Sequence, residues 1–137
     1  MKLLGREFKF SVWIRREKRR ADRVSLHDTL YLDYRRSLDP THGSGEGKNI
    51  STAGILFAAT SIIPVGSFLE LTLHLYPAFA TSAPLLLQGR VVRCFQTSAQ
   101  QHYRIACAFD SLEPHVAERL RSFIHWLKEL NRESFYR

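Results

Sequence analysis

The stretch FLELTLHL, residues 68–75, decides the fold class, because from Leu69 onward its apolar and polar residues alternate without a break. Successive side chains of a β-strand point to opposite faces, so this pattern predicts a strand with one buried and one exposed face. The predicted buried face consists of leucines alone: Leu69, Leu71, Leu73 and Leu75.

Further short apolar segments lie on both sides of this strand. Upstream, five residues of one parity predict another strand: Val24, Leu26, Leu30, Leu32 and Tyr34. Residues 55–59, 85–95 and 103–109 add apolar or alternating segments. Residues 39–47 are dense in turn formers and predict an exposed loop. Short strands at this spacing predict an antiparallel barrel or sandwich of about six strands.

The periodicity changes once, near residue 113. From there, apolar residues recur as on one face of a helix: Val116, Leu120, Phe123, Ile124, Leu127 and Leu130. Pro114 suits the first turn of a helix, where its missing N–H costs no hydrogen bond. We therefore expect a C-terminal helix over residues 113–131 that packs on the barrel, followed by a tail over residues 132–137.

Basic residues are concentrated before the first predicted strand. Of the 20 Lys and Arg residues, nine lie within residues 1–23 against three acidic ones, a balance of +6 out of a net charge of +7. Such a segment suits a polyanion: a nucleic acid, a phosphorylated small ligand or an anionic lipid. A solvated tail is the alternative that charge leaves open. We define residues 1–18 as a basic N-terminal arm and residues 19–112 as the β domain.

Other features argue against a membrane span, secretion and catalysis. No apolar run reaches the ~18 residues that a membrane helix needs, and the N-terminus lacks the features of a signal peptide. The two cysteines form no disulfide framework. The six histidines lack metal-ligand spacing, and no nucleophile or P-loop motif is present. We expect a cytoplasmic protein that is not an enzyme, with no catalytic residue, metal or cofactor.

Two short motifs lie at strand edges. Arg19 and Arg23 form an RxxxR directly before the first predicted strand, and Asn49, Ser51 and Gly54 form an NxSxxG before the 55–59 segment. RxxxR alone carries little information, because two other pairs also fit it: Arg15 with Arg19, and Arg16 with Arg20. The order, the spacing and the positions of the two motifs make the combination far more specific.

In these two motifs the chain resembles the PilZ domain family. The resemblance extends through Pro64-Val65-Gly66, Gly89-Arg90-Val91-Val92-Arg93 and the closing helix. It implies a six-stranded antiparallel β-barrel of the split-barrel type, in a bacterial protein that binds the second messenger cyclic di-GMP. It also implies that the protein passes the ligand signal to an effector protein, which the resemblance does not identify, in a pathway such as the regulation of motility or biofilm formation.

The chemistry of this ligand, with two phosphates and two guanines, fits the motif residues. Arginine engages a phosphate or the O6 and N7 of guanine with two parallel hydrogen bonds. The resemblance assigns Arg19 and Arg23 to phosphate and guanine, and Asn49 and Ser51 to guanine, with Gly54 shaping the turn. Arg20, Arg93 and Arg104 are further candidates for ligand contacts. We expect ligand binding to order the arm and so to change the surface shown to the effector.

Several alternatives remain open on the sequence. Asn49 and Ser51 also suit turn hydrogen bonds, without any ligand. A small basic β-barrel is also typical of modules that bind single-stranded nucleic acid, although we expect no exposed stripe of interleaved aromatic and basic residues on the strands. An adaptor that binds only a protein is the third possibility.

Overall fold

The strands of the protein form a closed antiparallel barrel. A computed structural model describes residues 23–39, 41–79, 83–97 and 102–136. The six strands are β1 (Val24–Arg36), β2 (His42–Ile50), β3 (Gly54–Ala59), β4 (Phe68–Leu73), β5 (Leu85–Gln96) and β6 (Tyr103–Phe109). They pair in the order β1-β2-β3-β6-β5-β4, with β4 closing onto β1. The predicted six-stranded antiparallel barrel is confirmed.

The barrel interior is filled by the alternating apolar side chains. All four leucines of the 68–75 stretch are buried, and Leu30, Leu32 and Tyr34 of β1 are buried opposite them. In the central row of this wall, Leu71 pairs with Tyr34 on one side and with Leu87 on the other. Removing such side chains from water is the main term that stabilises the barrel.

The predicted loop over residues 39–47 is wrong, because β2 begins at His42. Its inward-facing positions are occupied by glycines, which have no apolar side chain to reveal the alternation. Gly43 faces the ring of Tyr34, and Gly45 faces the ring of Phe57. A Cβ on Gly45 would lie 2.8 Å from that ring, closer than packed carbon atoms approach. The large aromatic residues of neighbouring strands therefore fill the volume that β2 leaves empty.

Helix α1 (Pro114–Tyr136) packs against β5 and β1 and covers one end of the barrel. Phe123 is fully buried and stacks on Trp126, and both rings contact Tyr76 and Phe79 of the β4–β5 loop. The helix continues through residues 132–136, which the sequence had assigned to a tail. No glycine or proline follows Pro114 to end it earlier.

The two ends of the barrel differ. The helix end carries the start of β1, the β2–β3 turn and the β4–β5 loop. The far end carries the β1–β2 and β5–β6 hairpin loops and the β3–β4 connection, which joins two strands that do not pair. The predicted arm over residues 1–18, and Arg19 and Arg20 after it, lie outside the described residues. Within the described part of the chain, no helix is long and apolar enough to cross a membrane.

Candidate functional site

The β2–β3 turn is held by Ser51, which is only 2% exposed. Its Oγ accepts a hydrogen bond from the backbone N–H of Ala53 at 3.1 Å, and its own N–H donates to the carbonyl of Gly54 at 2.9 Å. The turn hydrogen bond considered in the sequence analysis is therefore present. A hydroxyl is both donor and acceptor, so the O–H of Ser51 can still donate to another group.

Gly54 begins β3 where that strand approaches β6 closely. A Cβ there would overlap the carbonyl oxygen of Cys107 and would lie 3.3 Å from the Cα of Ala108. The neighbouring Ala53 carbonyl accepts a hydrogen bond from the N–H of Phe109 at 2.9 Å. The structure therefore requires a glycine at this position for packing between two strands.

The β1–β2 register brings the two sequence motifs together. Val24 pairs with Ile50 and Ser25 with Asn49, so the same register places Arg23 beside Ser51. Arg23 is exposed and Asn49 is half-buried. In the described part of the chain, the Asn49 amide makes no side-chain hydrogen bond, although an amide offers two donors and an acceptor. Arg23 and Asn49 thus present polar groups to solvent at the edge of the turn.

Arg93 and Arg104 lie on the same outer face as Asn49. Strand pairing aligns Asn49, Leu56, Ala106 and Arg93 in one row across β2, β3, β6 and β5. Adjacent strands are about 4.8 Å apart, so the row spans about 14 Å. Arg104 lies in the next row, between Ala58 of β3 and Phe95 of β5. Small buried side chains form the floor of this face: Ala58, Ala106 and Ala108.

Exposed aromatic rings accompany the arginines on this face. The Arg93 guanidinium lies 5.1 Å from the ring centroid of Phe95, and the Arg90 guanidinium lies 5.6 Å from that of Phe68. Both rings are more than a third exposed. The expectation that the strands carry no such stripe is therefore wrong. The sequence could have revealed the first pair, because Arg93 and Phe95 are two positions apart on one strand and so share a face. Arg90 and Phe68 are brought together only by the β4–β5 register.

A second polar surface lies on β1, β2 and β4, around a cavity of about 420 Å³. The Asp33 carboxylate accepts a hydrogen bond from Ser44 and pairs with Nε2 of His74, each at 2.8 Å. The hydrogen bonds to His74 and Ser44 lower the pKa of Asp33. Arg35 pairs with Glu70 nearby. Among the described residues, no three His, Cys, Asp or Glu side chains are grouped to hold a metal ion.

Comparison with known proteins gives one family match and several similar structures. Residues 14–126 match the profile of the PilZ domain. The PilZ domain of YcgR from Escherichia coli, solved with c-di-GMP, is 16% identical with a TM-score of 0.64, over 88% of this chain and 98% of that one. No curated protein sequence matches the chain.

Two longer proteins share the fold. The inhibitor of motility MotI/DgrA from Bacillus subtilis is 17% identical with a TM-score of 0.62, over 80% of this chain and 51% of that chain. MrkH from K. pneumonia in its apo state is 13% identical with a TM-score of 0.67, over 81% and 52%. The chain therefore spans about half the length of these two proteins. At such identities, the structural similarity establishes a common fold.

Proposed function

Because the chain belongs to the PilZ domain family, we propose that it is a receptor for cyclic di-GMP, which binds on the outer face of the barrel beside the β2–β3 turn. One observation carries the proposal: strand pairing brings Arg23 beside Ser51 across β1 and β2, and puts Asn49 on the same face as Arg93 and Arg104 across β2, β3, β6 and β5. Groups that recognise phosphate and guanine therefore converge on one surface.

Each group has a distinct role in this proposal. Arg23, together with Arg19, engages a phosphate or the O6 and N7 of a guanine through its planar fork of donors. The amide of Asn49, which has no side-chain partner among the described residues, donates to and accepts from the edge of the same guanine. Ser51 holds the turn with its oxygen and donates to the ligand with its O–H. Gly54 contributes by bringing β3 against β6, which fixes the position of the turn.

The rest of the outer face suits the second half of the ligand. Arg93 and Arg104 stand across the floor of small side chains from Asn49, within reach of the second phosphate or guanine. A purine face stacks on a guanidinium or an aromatic ring, and Arg93 and Phe95 offer both. Arg20, next to Arg19 in the sequence, is a further contact that the ligand can recruit.

We also propose that the ligand acts through the arm. The balance of +6 within residues 1–23 opposes a compact arrangement, and a dianionic ligand removes part of that repulsion. Binding then orders the arm and changes the surface presented to an effector protein, without catalysis by this chain. Hydrogen exchange on residues 6–23 tests this step. Greater protection with ligand supports it, and equal protection eliminates the arm as the moving part while leaving binding intact.

Titration calorimetry tests the binding itself, with cyclic di-GMP as ligand and GMP as control. We expect saturable binding with a dissociation constant in the micromolar range or tighter, corresponding to about −8 kcal/mol. Absence of heat and saturation at about 100 µM cyclic di-GMP would reject the receptor proposal. It would leave the two other candidates, an adaptor that binds only a protein and a module that binds single-stranded nucleic acid.

The exposed pairs of arginine and phenylalanine favour one second candidate, a module for single-stranded nucleic acid. Bases stack on exposed aromatic rings while arginines neutralise the backbone, and such binding weakens steeply with salt. Titration with a short single-stranded RNA distinguishes the candidates. Binding of RNA that is tighter than binding of cyclic di-GMP, and that falls with added salt, would favour this second function.

A further inference from the structure

Strand β5 extends beyond its neighbour β4 at the far end of the barrel. The β4–β5 ladder ends where Phe68 pairs with Arg90, and the last backbone hydrogen bonds join Val91 to the segment just before β4. From there to Gln96, β5 pairs only with β6 among the described strands. We call residues 92–96 the β5 edge.

The backbone of the β5 edge has groups that point away from β6. The N–H of Thr97 donates to the carbonyl of His102 at 3.0 Å, so it points toward β6. Backbone direction alternates along an antiparallel ladder, so the N–H groups of Cys94 and Gln96 point to the opposite side. In the described part of the chain, these two groups have no partner there. Such a row of unpaired groups is a template for another strand.

We propose that the β5 edge pairs with the same edge of a second copy of this chain, antiparallel and centred on Cys94. This register places Arg93 across from Phe95 of the second copy, and symmetry repeats the contact. Arg93 already lies 5.1 Å over its own Phe95, so the two side chains are suited to a cation–π contact. The backbone N–H groups of Cys94 and Gln96 then have hydrogen-bond partners in the second copy. In this register Gln96 lies opposite Val92 of that copy.

Side-chain chemistry selects this register over its neighbours. A pairing centred on Arg93 would place two guanidinium groups opposite each other, which is repulsive. A pairing centred on Phe95 would leave Arg93 without an aromatic partner. The interface is small and each chain carries a net charge of +7, so association is expected only at about 100 µM. The inference does not depend on cyclic di-GMP binding.

Sedimentation equilibrium of the whole chain without ligand, from about 5 to 500 µM, tests the dimer. The weight-average mass should rise from 15.9 kDa toward twice that value. Gln96→Pro removes an N–H that makes no hydrogen bond to any described residue of its own chain, and proline is tolerated on strand edges. By symmetry the dimer loses two hydrogen bonds, so its dissociation constant should rise about 30-fold. Gln96→Ala keeps the N–H and should leave the dissociation constant of the dimer unchanged.

A second pair of variants tests the register and does not need the proline. Phe95→Arg places an arginine opposite Arg93 and should abolish dimerisation, whereas adding Arg93→Phe swaps the two residues and should restore it. Thermal unfolding confirms that each variant is folded. A monomer at every concentration, or a dimer that is indifferent to Phe95→Arg, would overturn the proposal.

Discussion

Replacing Ser51 by alanine should lower stability as well as affinity, because its hydroxyl is part of the turn. The side chain is buried, and its Oγ is the acceptor for the backbone N–H of Ala53. Ser51→Ala leaves that N–H without a partner in a turn that water reaches poorly. Asn49→Ala is the matched control, since the half-buried Asn49 makes no side-chain hydrogen bond in the described part of the chain.

The size of the effect follows from the lost bond. A buried donor left unsatisfied costs about 1–3 kcal/mol, and the turn relaxes enough to favour the lower half of that range. A loss of about 1.5 kcal/mol should lower the melting temperature of a domain of this size by about 6 °C. In urea the midpoint should fall by about 0.8 M at an unchanged slope. Asn49→Ala should stay within about 0.5 kcal/mol of the parent.

Urea unfolding and cyclic di-GMP titration of both variants separate the two roles. Ser51→Ala should lose stability, and Asn49→Ala should lose affinity at almost unchanged stability. If Ser51→Ala melts with the parent protein while still losing affinity, Ser51 is a ligand residue and the turn does not depend on its hydroxyl. That result would refute the structural role derived from the hydrogen bond.

Three further predictions follow from single contacts. Arg23→Ala should weaken cyclic di-GMP binding at least tenfold in calorimetry, because a charged hydrogen bond contributes about 1.5–3 kcal/mol, whereas Arg35→Ala at the other end of β1 should not. Gly54→Ala should cost about 3 kcal/mol in urea unfolding, since its Cβ overlaps backbone, against about 1 kcal/mol for Gly66→Ala, where space is open but φ is 92°. Burial raises the pKa of Tyr76 to about 12, so the free energy of unfolding that its neutral hydroxyl contributes below pH 10 should be lost as the pH rises from 10 to 12. Tyr76→Phe should reduce that loss in unfolding measured across this range.

The sequence predicted those strands whose inward positions carry large apolar side chains. The leucines of β4 made the alternation visible, and the structure confirms their burial. Strand β2 was missed because its inward positions are glycines, and the stretch HGSGEG is typical of turns by composition. Its extended conformation is imposed by pairing with β1 and β3, which local composition does not encode.

The candidate site could be predicted only where its residues are close in sequence. The NxSxxG motif is local, and its position at a strand edge followed from the apolar run after Gly54. The row that joins Asn49 to Arg93 depends on three strand pairings and on two shifts of register, between Gly47 and Asn49 and between Val91 and Arg93. Such shifts move side chains from one face to the other, so the row required the structure.

The structure also divides the motif residues into two physical classes. Ser51 and Gly54 are needed by the fold, one for a buried turn hydrogen bond and the other for the approach of β3 to β6. A barrel of this kind would therefore keep both residues even if it bound no nucleotide. Arg23 and Asn49 make no such contribution among the described residues, since Arg23 is exposed and the Asn49 amide makes no side-chain hydrogen bond there. The binding hypothesis accordingly depends on these two residues, and their variants are the ones that test it.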